Sequence, residues 1–158
     1  MKRVKVTPDG FRLVFTEAEA GILVSVASQL ADLLDGFENR AGDAALERLL
    51  PDGYRDNSED AEEFRRFTQT ELVDEKDAAA RLIVESLSAP ADKGLVRVTL
   101  SAADAVVWLR SLNDIRLTLA ARLGIMDESF RPEPDDDTYV IYVWLGEMQY
   151  LLLRAVDR

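Results

Sequence analysis

The sequence predicts an α+β fold that is mainly α: a helical bundle of about five to six helices with a small antiparallel sheet, an N-terminal hairpin plus a strand near residues 95–100. Three features predict it. Residues 2–15 alternate polar and apolar side chains around a Pro-Asp-Gly turn, the period of a half-buried hairpin. Three long segments, starting at Thr16, Ser101 and Thr138, repeat apolar residues at the three-and-four spacing of a helix with one buried face. The first two open on a hydroxyl with a carboxylate three residues on, Thr16 with Glu19 and Ser101 with Asp104, as capped helices do.

The elements follow in order. Lys2 to Val6 and Phe11 to Phe15 flank Thr7-Pro8-Asp9-Gly10, where proline presets φ and glycine tolerates a positive φ. Thr16 starts a helix whose apolar run through Ile22, Val26, Leu30, Leu33 and Leu34 ends near Gly36. Ala44 to Leu50 reads as a short helix stopped by Pro51. Beyond the Pro51-Asp52-Gly53-Tyr54 turn, Ser58 with Glu59 and Asp60 caps a short helix through Phe64 and Phe67. Thr68 and Glu71 form a further capping box and predict a separate helix, with a stripe at Leu72, Ala79, Ile83 and Leu87, closed by Pro90 and Gly94.

Leu95 to Leu100 is a short strand that joins the hairpin, and the helix from Ser101 buries Trp108, Leu112, Ile115, Leu119 and Leu123. Asp127 to Asp137 is an acidic loop, after which Thr138 starts a final helix through Trp144, Leu145, Met148, Leu152 and Val156. That helix is apolar almost all round, which suits either the domain centre or a face covered by a partner subunit. Overlaying Thr16 on Ser101 also aligns Arg12 with Arg97, Phe15 with Leu100, Ala20 with Ala105 and Leu34 with Leu119. Any strand-to-helix junction gives such a match, and with few identical positions that explanation is preferred to duplication.

Composition bounds the function. The 158 residues are 47% hydrophobic and 31% charged, which suits one domain spanning 1–158 with a sizeable core. Nineteen basic against thirty acidic residues leave a formal charge of -11, which repels phosphate backbones and anionic lipids unless a local basic patch overrides it. Nucleic acid is therefore a poor direct partner. The chain has no histidine and no cysteine, which excludes Cys/His zinc sites, haem ligation by either residue, thiol switches, Cys nucleophiles and His acid–base catalysis. Disulfides are excluded too, and Met1-Lys2-Arg3-Val4-Lys5 leads into strand sequence, so a cytoplasmic protein is expected. Tyr139 to Leu153 is interrupted by Gly146, Glu147 and Gln149, short of the roughly 18 to 20 apolar residues that span a membrane.

Trp108, Asn113, Asp114 and Arg116 form the candidate interaction or polar-network site. An amide, a carboxylate and a guanidinium within one turn can hold a polar ligand or a partner's backbone. The preferred reading is a structural network, with Asp114 pairing along its own helix to Arg110 and Arg122. Phe64, Arg65, Arg66 and Phe67 mix aromatic and basic residues, but beside Glu62 and Glu63 they read as intrahelical ion pairs and core. Asp127, Glu128, Glu133 and Asp135 to Asp137 lack the spacing of a calcium loop. No nucleophile motif and no glycine-rich phosphate loop occurs, so no catalytic, cofactor-binding or metal-ligating residue is assigned.

Residues 108–117 (WLRSLNDIRL), with 122–125 (RLGI), 48–54 (RLLPDGY) and 63–65 (EFR), resemble an actinobacterial family known only as a domain of unknown function. Genes of that family commonly lie beside the Clp protease adaptor, and some members are described as oxidative-stress regulators acting through a Cys-x-x-x-Cys pair and a transcription-factor partner. The resemblance implies a regulatory, protein-binding role. A thiol switch cannot operate in this cysteine-free chain, and the family supplies no catalytic residues.

The function expected is a non-enzymatic cytoplasmic interaction module that binds a transcription or proteolysis partner through the helix bearing Asn113 to Arg116. One alternative is a DNA-binding regulator of winged-helix type using Lys2, Arg3, Lys5, Arg12 and Arg97 on the sheet. Another is a small-ligand binder or enzyme using carboxylates and Arg116. Homodimerisation through Tyr139 to Val156 is compatible with all three.

Overall fold

A computed structural model of the protein describes residues 3–40, 42–50, 59–133 and 135–158, and its side chains from 59 to 62 and at 65 are not described. Lys2, the turn at 51–54 and the Ser58 cap therefore lie outside the described residues. Strands β1 (Val4–Thr7) and β2 (Gly10–Thr16) form the expected hairpin, and β3 (Leu95–Leu100) adds antiparallel to β2, giving the order β1-β2-β3. Five α-helices complete the described residues: α1 (Glu17–Asp35), α2 (Ala44–Leu49), α3 (Glu59–Ser86), α4 (Ala102–Leu123) and α5 (Asp137–Val156). The α+β, mainly α fold predicted from the sequence is the fold observed.

Gly10 shows why the hairpin needs its glycine. Its φ is +151°, and a Cβ there would sit 2.0 Å from the carbonyl oxygen of Leu100, so the close approach of β3 forbids a side chain. Thr16 caps α1 in a complete capping box: its hydroxyl accepts from the Glu19 N–H at 3.1 Å and the Glu19 carboxylate accepts from the Thr16 N–H at 2.9 Å. Ser101 caps α4 by accepting from the Asp104 N–H.

Three sequence expectations change. Thr68 does not open a separate helix: residues 59–86 form one continuous helix, and the Thr68 hydroxyl donates to the Phe64 carbonyl one turn back. Such back-bonding satisfies the hydroxyl without ending a helix. Phe64 and Phe67, expected in the core, are 65% and 64% exposed. The cap of α5 is Asp136, not Thr138; its carboxylate accepts from the N–H groups of Thr138 and Tyr139. The β-branched start of α5 is helical, as expected.

The register of β2 with β3 sets Leu13 opposite Val98. These two residues are also equivalent under the 85-residue offset that superposes Thr16 on Ser101, so exchanging the two strand–helix units maps the pairing onto itself. Six of the eight buried positions of each helix follow the same rule. Ala20, Leu23, Val26, Ala27, Leu30 and Leu34 of α1 correspond to Ala105, Trp108, Ser111, Leu112, Ile115 and Leu119 of α4, and all are buried. The likeness is therefore one of packing geometry and not only of junction chemistry.

Phe11, Leu13, Phe15, Val96, Val98 and Leu100 point to one face of the sheet and pack on α1 and α4. Trp108 lies at the centre, fully buried, with its ring 6.2 Å from that of Phe15. Helix α3 packs on α1 and α4, α2 packs on α4, and α5 packs on α4 and reaches β1. The opposite face of the sheet is left to solvent.

Replacing Gly10 by Ala is expected to destabilise the protein by about 3 kcal/mol, since the new Cβ must push β3 away. By contrast, Gly21→Ala in α1, where nothing lies within 4 Å of the added Cβ, is expected to stabilise by about 1 kcal/mol. Urea unfolding of both variants checks the pair.

Candidate functional site

Helix α4 sends the four predicted residues in three directions. Successive residues turn by about 100° around a helix, so Asp114 and Arg116 lie roughly 200° apart and cannot share a face. Trp108 enters the core beneath the sheet. Asn113 and Asp114 line a groove between α3 and α4. Arg116 faces α5.

The groove has a volume of about 670 Å³. Leu72, Ala79 and Leu82 of α3 and Val107 of α4 make its apolar walls, and Ala78 keeps it open because a methyl group fills little space. Charged groups rim it. Glu75 and Arg110 pair across the mouth at 3.5 Å with both side chains mostly exposed, a contact that screening leaves weak. Deeper in, Lys76 donates to the Asp114 carboxylate at 2.8 Å, where the Asp114 side chain is only 6% exposed. Asn113 is exposed and makes no hydrogen bond among the described residues.

Asp114 is the electrostatically unusual group. Burial pushes its carboxyl above the ordinary value of 3.8; the Lys76 ammonium opposes that shift and the neighbouring Glu75 reinforces it. The direction decides between two effects, because a carboxyl still raised with a cation at 2.8 Å loses more from dehydration than it gains from attraction. The pair is therefore a positional constraint locking α3 to α4.

The intrahelical pairing expected for Asp114 is not what forms. Arg110 bonds Glu75, Arg122 reaches Asp43 at the α2 cap, and Asp114 takes Lys76 from another helix. Sequence reasoning missed Lys76 and Glu75, whose partners stand thirty-eight and thirty-five residues away.

Arg116 is held between α4 and α5. Its guanidinium stacks 4.6 Å from the Tyr142 ring centroid and donates to the Gln149 side-chain oxygen at 3.2 Å. Gly146 makes the room, since a Cβ there would lie 3.1 Å from the guanidinium. The arginine thus packs as a structural wedge.

The sheet cations of the DNA-binding alternative do gather. Arg3, Lys5, Arg12 and Arg97 are exposed, and the registers Lys5–Arg12 and Val14–Arg97 set them on the face turned away from the helices. The acidic loop behaves differently. Asp127 accepts from Ser129 and Asp136 caps α5, and among the described residues no three carboxylates converge on a metal position. No helix of the described residues is long and apolar enough to cross a membrane.

With this architecture, the chain belongs to the family described as Domain of unknown function (DUF2017), whose model matches residues 1–156. It is similar to the oxidative stress regulator AosR of Mycobacterium tuberculosis, at 29% identity over 191 aligned positions that cover 96% of this chain and 85% of the relative. The oxidative stress regulator AosR of Mycobacterium bovis matches to the same extent. No solved structure matches the chain.

The raised pKa of Asp114 has a defined sign. Its favourable contribution to stability is complete below pH 3.8 and is lost as pH rises through the folded-state midpoint. Carboxyl-carbon NMR is expected to place that midpoint above 3.8 and to move it further up in Lys76→Met. Removing one partner of the buried pair is expected to cost about 3 kcal/mol at pH 7, a loss that shrinks as acid protonates the orphaned carboxylate.

Proposed function

We propose that the chain is a non-enzymatic regulator of the cytoplasm that acts by binding a protein partner in the α3–α4 groove. The observation that carries this reading is the groove's make-up: apolar walls for burial, fixed charges of both signs at the rim, and the exposed amide of Asn113, which makes no hydrogen bond among the described residues. An amphipathic helix laid along such a groove buries its apolar stripe and meets the charged rim with its polar edges. The names of the mycobacterial relatives support a regulatory role. Because this chain has no cysteine, its share of any oxidative response is to hold a partner; thiol chemistry must reside in another molecule. A transcription or proteolysis component is the partner class proposed.

A photo-cross-linker at Ala78 is expected to trap one stoichiometric protein from native cytosol, with Val107→Asp and Asn113→Arg each lowering the yield at least about tenfold at unchanged melting temperature. Trapping that survives both substitutions, or recovery of the chain alone, contradicts the reading.

A second copy of the chain is the other reading a specific feature favours. Val140, Val143, Tyr150 and Leu153 of α5 are exposed and spaced symmetrically about positions 146 and 147, as two antiparallel copies of one helix require. Sedimentation equilibrium is expected to give a dimer that Val143→Glu with Leu153→Glu converts to monomer; a monomeric parent protein would remove this reading.

A further inference from the structure

We propose that the solvent face of the sheet is a second docking surface, whose occupant is an acidic, extended polypeptide segment of a partner protein. Along one row of the sheet the register places Lys5 directly opposite Arg12, with Thr99 beyond. In the next row Val14 stands opposite Arg97, and Arg3 extends the same face past the start of β1. Like charges directly opposite each other across two strands repel and weaken the sheet.

Elsewhere three arginines meet carboxylates, Arg81 with Asp77 and Asp35, Arg110 with Glu75, and Arg122 with Asp43, while Arg116 and Arg154 bond the neutral side chains of Gln149 and Tyr150. On the sheet, Arg97 has only an exposed contact with Asp92 at 3.5 Å, and Arg3, Lys5 and Arg12 have no ion-pair partner among the described residues. A face that gathers four cations against the exposed Asp92 and the Glu19 carboxylate at the α1 cap, on a chain of net charge -11, is complementary to negative charge brought by another molecule.

Shape agrees with charge. A hollow of about 430 Å³ runs over Val14 and Leu95 between the cations, and its far end is closed by Thr16 and Glu19, the residues of the α1 capping box. Arg3 and Lys5 are two residues apart, so their side chains repeat at about 6.8 Å, the same repeat as alternate side chains of an extended peptide. A strand carrying carboxylates on one face and apolar or hydroxyl groups between them fits both the cations and the apolar floor. Duplex nucleic acid fits less well, because its many phosphates also meet the field of the acidic remainder of the chain. The surface lies on the far side of α1 and α4 from α3 and so is separate from the α3–α4 groove.

The test uses the full chain and a fluorescein-labelled twelve-residue peptide of alternating glutamate and threonine, read by anisotropy and by amide shifts. The peptide is expected to bind with perturbations confined to β1, β2 and β3. Lys5→Glu and Arg12→Glu should each weaken it at least about tenfold, whereas Arg66→Glu on α3, an equal change of net charge, should not. Arg12→Thr should raise the melting temperature of the free protein while weakening the peptide, because relieving the Lys5–Arg12 repulsion helps the sheet and removes a contact. No peptide binding, equal weakening by Arg66→Glu, or tighter binding of a twenty-base-pair DNA duplex than of the peptide overturns the proposal. A positive result here with no partner trapped at Ala78 would reject the groove alone, and the reverse would reject this surface alone.

Discussion

The antiparallel pairing of β2 with β3, which sets Leu13 opposite Val98, determines where every other element of this protein can go. Each of these strands runs directly into a capped helix, so fixing the strands fixes the starts of α1 and α4. Both helices then cover the same face of the sheet with matched buried positions, and the Trp108 ring meets Phe15 in the layer between them. Large side chains there leave no freedom to slide, because a one-residue slip of β3 would turn Val96, Val98 and Leu100 to solvent.

From that core the outer helices inherit their positions and the surfaces inherit theirs. Helix α3 lies on α1 and α4, and its docking against α4 is fixed by the Lys76–Asp114 ion pair, in which burial raises the Asp114 carboxyl despite the ammonium at 2.8 Å. Such a pair adds little net stability, but it resists misplacement, since sliding α3 would strand the Asp114 carboxylate without a cation. The groove beside the pair therefore has a defined width and a defined charge pattern. On the other side of α4, the Arg116 guanidinium against Tyr142 and Gly146 sets the approach of α5 in the same manner.

What was legible in the sequence was local. The hairpin could be read because Pro8 and Gly10 act within four residues, and the caps at Thr16 and Ser101 because each helix start closes on itself within one turn. Thr68 carried the same signature and did not form a cap. A threonine hydroxyl also satisfies itself on the carbonyl one turn back, and only packing along the full length of a helix decides which occurs. Of the candidate residues, Asn113 and Asp114 do share a groove; the helical angle sets Arg116 far from Asp114 but only about 60° from Asn113, and it is the stacking on Tyr142 that carries its guanidinium to α5. Lys76 was not legible, because nothing within one helix announces a partner thirty-eight residues distant. The family could be read from residue blocks, and the family model bears it out over 1–156.

If the β2–β3 pair with α1 and α4 is the unit on which the rest is built, its amides must open together and last. Native-state hydrogen exchange measures this directly. The most protected amides of β2, β3, α1 and α4 are expected to share the largest opening free energy, equal to that of global unfolding, while α5 and the first turns of α3 open at lower cost. Early exchange in β2 and β3, with the slowest amides in α3 or α5, would contradict it.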